Sequence, residues 1–215
     1  MAEETVVVIP TANPAALGLV AFGLTTILLS LINAGLLPAS GEDVVIPLAL
    51  VFGGLMQIFA GAFEFRLGNT FGMTAFLSYG AFWWWHATLL LLAHDHLIDI
   101  ASASSTIGVG VLLWAVLTLY LWISTFRQSK VVFLIFLTLW VTFALLGFGF
   151  IYGSSGLVHA GGWLGILCGA LAMYGSFGIV TNATFGRNLV PLRPTLSGRL
   201  RSVRNPVVKR ICQHS

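Results

Sequence analysis

The chain has 215 residues, of which 58% are hydrophobic and 8% charged, and its mean hydropathy is +0.96. No soluble domain core has that balance, so the composition specifies an integral membrane protein. The net charge of +3 points to no nucleic-acid partner, because seven of the ten Lys and Arg residues follow the last apolar stretch and mark a membrane face instead.

Charge-free stretches run over residues 5–41, 44–63, 67–94, 100–126 and 131–186. A helix needs about 20 apolar residues to cross ~30 Å of hydrocarbon, so the first four stretches hold one span each and the last holds two. The cut falls at Tyr152-Gly153-Ser154-Ser155-Gly156, whose glycines and hydroxyls read as a tight turn. The spans are predicted near 14–37, 44–63, 70–93, 104–126, 131–152 and 157–180, an all-α integral membrane protein built as a six-transmembrane-helix bundle. The runs are continuous rather than alternating, which excludes a transmembrane β-barrel. Residues 1–12 form a short amino-terminal segment, 13–186 the transmembrane domain and 187–215 a basic tail.

Span 1 opens on Asn13-Pro14, an N-cap followed by proline at the first helical position. Glu3 and Glu4 precede it where a secretory signal would carry basic residues, so it is read as an uncleaved first helix. It carries Thr25, Thr26, Ser30 and Asn33. Span 2 carries Gln57 and, seven residues on and on the same face, Glu64. In span 3 the four-residue spacing of Thr70, Thr74 and Ser78 predicts one polar stripe, with Tyr79 beside its end and His86 further along. Such a stripe lines a wet path or bonds back to its own helix and glues neighbours.

The connection after span 3 holds His94-Asp95-His96 and Asp99, a solvated loop rather than a metal site. Span 5 contributes Thr138 and Thr142. Gly161, Gly165 and Gly169 in span 6, like Gly68 and Gly72 at the start of span 3, are spaced for close helix packing. Cys168 lies inside span 6 and Cys212 in the tail, too far apart for a disulfide. The tail run from Arg199 to Arg204, with Lys209 and Arg210, suits an anionic lipid surface or plain orientation.

Arg66, Arg127 and Lys130 occupy the connections between spans 2 and 3 and between spans 4 and 5, on the side of the tail. The other connections hold Glu42, Asp43, Asp95 and Asp99 and no Lys or Arg. The positive-inside rule therefore makes both termini cytoplasmic. Spans 1, 3 and 5 begin on that side, and their positive dipole ends can attract an anion. No Walker or Rossmann pattern stands in its required context. Gly153-Ser154-Ser155-Gly156 fails as a serine-protease motif, because its serine needs a histidine on a later span and His159 is only four residues on. No enzyme chemistry, cofactor or metal is expected.

Asn13-Pro14-Ala15-Ala16-Leu17-Gly18-Leu19 resembles the N-P-A-P-L-G-L signature of the acetate uptake transporter family, the acetate/succinate permeases of bacteria, archaea and fungi. Phe22 to Leu29, Gln57-Ile58-Phe59-Ala60-Gly61 with Glu64, Gly68-Asn69-Thr70-Phe71-Gly72, Thr74 to Gly80, Phe143 to Leu146 and Ala160 to Gly169 continue it in order, over roughly 13–191. Ala16 stands where the signature has its second proline, and the tail beyond Leu192 is longer than in typical bacterial members. The short amino-terminal segment contrasts with fungal relatives and suggests a prokaryotic cell membrane.

The resemblance implies a pathway for acetate and related small carboxylates, succinate among them, through each protomer of a homo-hexamer in the lipid bilayer. It further implies a constriction at Phe22, Tyr79 and Leu139, a hydrophobic neck in which a monocarboxylate loses less hydration than a dianion. Asn13, Thr25, Gln57, Glu64, Asn69, Thr70, Thr74, Ser78 and Thr142 are the residues expected along the pathway. It leaves open an anion channel or a proton-coupled symporter, and a non-transporting sensor or assembly subunit is the reading from another class. No titratable residue sits with a partner near the middle of span 1 or 3, and no pair of interrupted helices is legible, which favours the pore.

Overall fold

The computed structural model describes residues 11–192. The first ten residues and the basic tail from 193 onward, with Cys212, lie outside the described residues.

Six membrane-length helical segments cross in alternation. They are α1 (Ala15–Asn33), a second span made of α2 (Glu42–Leu48), a π-helical segment (Ala49–Met56) and α3 (Gln57–Arg66), then α4 (Thr70–His94), α5 (Ile100–Ser124), α6 (Lys130–Tyr152) and α7 (Ser155–Phe185). The sixfold division of the sequence is thus recovered, and five of the six segments meet a length and hydropathy criterion for a membrane span. The segment that does not is α4, rich in aromatic, glycine and hydroxyl residues. Alternation places Arg66, Arg127, Lys130 and Arg187 at one end of the bundle and Glu42, Asp43, Asp95 and Asp99 at the other. These are called the basic and acidic ends below.

The helix starts follow local chemistry. Asn13 Oδ1 accepts the Ala15 amide at 3.0 Å, Asn69 Oδ1 the Gly72 amide at 3.1 Å and Ser129 Oγ the Val132 amide at 3.2 Å. Gly153 closes α6 in the left-handed conformation, and Ser154 caps α7. The tight turn expected there is present.

Span 2 departs from the uninterrupted helix expected. Pro47 has no amide to donate to the preceding turn, and beyond it the backbone widens into a π segment of 8 residues. The Trp84 indole N–H of α4 donates to the Leu50 carbonyl at 3.0 Å, supplying a widened turn with a donor from a neighbouring helix. A Cβ on Gly53 would stand 2.8 Å from the Trp83 ring, and one on Gly80 2.9 Å from the Gly54 carbonyl, so α4 crosses the segment at glycine contact distance.

The same device holds α1 against α7. Cβ atoms on Gly23 and Gly169 would each lie 2.8 Å from the other's carbonyl oxygen. Gly165 abuts Ser30 and Gly161 abuts Leu146 of α6, so the four-residue glycine ladder serves two neighbours rather than one. Gly68 differs from the expected packing role: it has φ +69° and open space around it, a turn residue. Beyond α7 the chain folds back, with the Asn182 side chain bonded to Leu189 and Val190 and the Tyr174 hydroxyl donating to the Pro191 carbonyl. The tail expected from residue 187 therefore begins as a packed segment.

Gly23→Val and Gly169→Val should each lower the thermal unfolding temperature of the purified protein in detergent, corresponding to about 1–3 kcal/mol of overpacking. Gly156→Ala, with no close neighbour, should leave that temperature unchanged.

Candidate functional site

Two cavities lie within the bundle, one toward each end. The basic-end cavity, of about 120 Å³, is lined by Leu19 and Phe22 of α1, Gln57 and Glu64 of α3, Asn69, Ala75 and Tyr79 of the α4 region, Gln128, and Ile135, Phe136 and Leu139 of α6. The acidic-end cavity, of about 140 Å³, is lined by Leu29, Asn33, Glu42, Phe82, His86, Ser104, Phe143 and Phe150 among others.

Between them stands an aromatic block centred on Tyr79. Its ring centroid lies 5.8 Å from Phe22, 6.0 Å from Phe136 and 6.5 Å from Phe143, the last stacked at 19°. Phe143 meets Phe82 edge-on at 5.0 Å. Phe22, Tyr79 and Leu139 are all buried and border the basic-end cavity together. The three residues of the expected neck are therefore neighbours, with Phe136 and Phe143 packed on Tyr79 and Phe82 on Phe143. These additions were readable as a pattern, since Val132, Ile135, Phe136, Leu139 and Phe143 share one face of α6 at helical spacing.

The Tyr79 hydroxyl is committed. It donates to Thr118 Oγ1 at 3.0 Å, and that hydroxyl donates onward to the Trp114 carbonyl at 2.7 Å. The phenol proton thus points at α5. Thr118 is fully buried on α5, and no spacing pattern had singled it out.

The basic-end cavity holds the polar chemistry. Gln57 is fully buried; its amide N–H₂ lies 3.5 Å from the Gly18 carbonyl and its Oε1 has no partner. Glu64 is 2% exposed and accepts a 2.6 Å hydrogen bond from Asn69 Nδ2, while Asn69 Oδ1 caps α4. One amide thus ties the α4 N-terminus to the carboxylate. Ala15, Phe71, Gly72 and Val132 also border this cavity, so α1, α4 and α6 all begin at its rim and turn their positive dipole ends toward it.

Other residues expected along the pathway stand outside the linings of these two cavities. Thr70, Thr74 and Ser78 do form a stripe, but α4 lines the cavities with Phe71, Ala75, Tyr79, Phe82 and His86, on a neighbouring face. Thr25 is fully buried against Gly53 and donates to the Ala21 carbonyl, a back-bond that removes it from either cavity. Thr142 is buried near Gly165 with its hydroxyl unpartnered, and Asn13 is an exposed cap; neither lines a cavity. At the acidic end Asp99 caps α5 through the Ala101 amide, and no metal-ligating cluster of three His, Cys, Asp or Glu residues exists among the described residues.

The sequence profile of the GPR1/FUN34/yaaH family matches residues 3–192. The chain belongs to this family. A relative from Escherichia coli K12 described as the succinate-acetate/proton symporter SatP is 44% identical over 181 residues, covering 84% of this chain and 95% of that one. Acetate permease A of Emericella nidulans is 36% identical over 197 residues, which cover 84% of this chain and 65% of that protein. The solved structure of the bacterial acetate channel SatP superposes with a TM-score of 0.81 at 42% identity, covering 86% of this chain and 100% of that one. As a member of the GPR1/FUN34/yaaH family with these helices, the chain is a multi-pass membrane protein.

Asn69→Ala should cost about 0.5–2 kcal/mol of stability through the lost cap. Asn69→Asp keeps the cap but sets two carboxylates against each other, a repulsion that protonation relieves. The melting temperature of that variant should rise as pH falls from neutral, with a steeper slope than the parent protein shows.

Proposed function

We propose that this chain carries acetate and related small carboxylates across a prokaryotic cell membrane, through a pore within each protomer. The observation that carries the reading is the pair of cavities in line, closed from one another by Tyr79 and its aromatic neighbours. The relatives described as an acetate channel and as an acetate permease support it. Both termini are cytoplasmic, so the basic end with its three helix starts is the inner mouth. The chain acts as a transporter and not as an enzyme, and assembles as a homo-hexamer. The bundle exposes Val51, Phe63, Leu113, Val116, Trp163 and Phe177, enough apolar surface for lipid and neighbouring protomers.

A second reading, proton-coupled symport, is favoured by one observation. Glu64 is a carboxylate buried at the inner cavity beside Gln57, in a position to exchange a proton with a passing acid. The relative described as a proton symporter supports that reading.

Acetate flux into proteoliposomes, corrected for empty liposomes, should respond to an imposed electrical potential without a pH gradient if the pore conducts the anion. Uptake that needs an inward proton gradient and fails in Glu64→Gln would establish symport; no protein-dependent flux under either drive would exclude transport. Leu139→Ala should admit bulkier acids. Thr118→Val, which frees the Tyr79 hydroxyl, should change the acetate-to-succinate ratio, and Thr118→Ser should restore it.

A further inference from the structure

The acidic end carries Glu42, Asp43, Asp95 and Asp99 and, among the described residues, no Lys or Arg. Asp43, Asp95 and Asp99 stand exposed, whereas Glu42 is half-buried in the wall of the outer cavity. Glu42 and Asp43 together form the first turn of α2, where the positive end of the helix dipole favours a carboxylate. That accounts for an acid at either position, but not for one that faces into the chamber.

Nothing in the chamber offsets this charge. The elements packed on α2 are α1, the short turn Ala39–Gly41, the π segment and α4. The first three contain no titratable residue, and α1 lends the chamber only the Asn33 amide among polar groups. From α4 His86 lines the same space, but its ring is enclosed by Phe82 and Trp83, where burial disfavours a charged imidazole. His94 ends α4 on the exposed surface. Across the chamber the Ser104 hydroxyl gives its proton to the Phe150 carbonyl at 2.9 Å, and α6 supplies apolar walls. The charge that acts on Glu42 is that of Asp43, of the same sign. With Glu42 ionised the chamber holds a net negative charge between apolar walls, where it is screened far less than in bulk water. A carboxylate that enters meets a like charge, and the undissociated acid does not. The inner cavity also has a carboxylate, Glu64, but the Asn69 amide and three helix starts stand against that one.

We infer that Glu42 determines which ionisation form of the permeating acid enters from the outer face: ionised, it turns back the carboxylate and passes the neutral acid, and protonated, it passes both. The inference rests on the reading of the chain as an acetate pore and adds a specificity-determining residue to it. The only proton exchanged is that of the Glu42 carboxyl with the outer solution.

The test is acetate current through the full-length protein in planar bilayers bathed in sodium acetate, divided by the acetate anion concentration at each pH. Acidifying one compartment at a time, from near pH 7.5 to near pH 5, separates Glu42 from Glu64, which faces the other chamber. In the parent protein, acid on the side of Glu42 should raise the current. In Glu42→Gln the current near pH 7.5 should be about tenfold higher and the response from that side lost, and Glu42→Asp should restore it. Glu42→Ala carries the same expectation as Glu42→Gln and guards against a folding defect in either one. Asp95→Asn removes the same charge from the same end outside the lining and should behave as the parent. A parent-like current and pH response in Glu42→Gln and Glu42→Ala, or an equal gain in Asp95→Asn, would overturn this inference and leave the pore standing. Absence of acetate current in the parent would overturn the anion pore and this inference with it.

Discussion

Tyr79 is where the packing of the bundle meets the cavity toward its basic end. Its ring is held by Phe22 from α1 and by Phe136 and Phe143 from α6, and its hydroxyl by Thr118 from α5, so three neighbouring helices fix one side chain of α4. Each aromatic pair adds about 0.5–1.5 kcal/mol beyond area burial, and the phenol removes its only polar atom from an otherwise apolar junction by bonding to Thr118. Without that bond the hydroxyl would be an unsatisfied buried group. With it, the junction around Tyr79 is as apolar as a membrane protein core.

The second constraint is the approach of α4 to its neighbours. Tyr79 and His86 face inward because α4 runs close over the π segment at Gly53, Gly54 and Gly80, where side chains would hold the helices apart. Pro47 opens the widened turn, and Trp84 of α4 donates to a carbonyl within it. Gln57, the first residue after the segment, is thereby placed fully buried at the cavity wall with an acceptor left free. A local defect in one span sets the position of a polar group in the pathway, a use known for π turns elsewhere.

What the sequence made legible follows from the physics of each signal. Charge-free runs and turn residues are dictated by the bilayer itself, so six spans and their alternation could be read directly. Gln57 and Glu64 stood out because polar side chains at membrane depth are rare. The stripe Thr70, Thr74 and Ser78 misled, because hydroxyl spacing alone carries no information about which face of a helix lines a cavity. The π segment was hidden because Pro47 and two glycines are compatible with an ordinary kinked helix. Thr118 was hidden because its partner is 39 residues away in sequence, and only the packing of α4 near α5 discloses it.

The arrangement also bears on how protons and acids cross. Glu64 lies on one side of the neck and His86 on the other, and the polar group between them, the Tyr79 hydroxyl, leads through Thr118 to the Trp114 carbonyl. A backbone carbonyl accepts but does not pass on a proton, so this chain of hydrogen bonds ends in a wall rather than connecting the chambers. Under the proposed pore, a proton that crosses does so as a passenger on the acid. The cost of moving charge into an apolar neck grows with its square, so a dianion faces about four times the penalty of a monoanion, and the undissociated acid little of it. Passage of undissociated acid is thermodynamically the same as one-to-one proton symport, and passage of the anion is channel conduction. A pore of the proposed kind would pass both, in proportions set by the protonation of the acid in the chamber it enters from, and descriptions of relatives as symporter and as channel need not conflict.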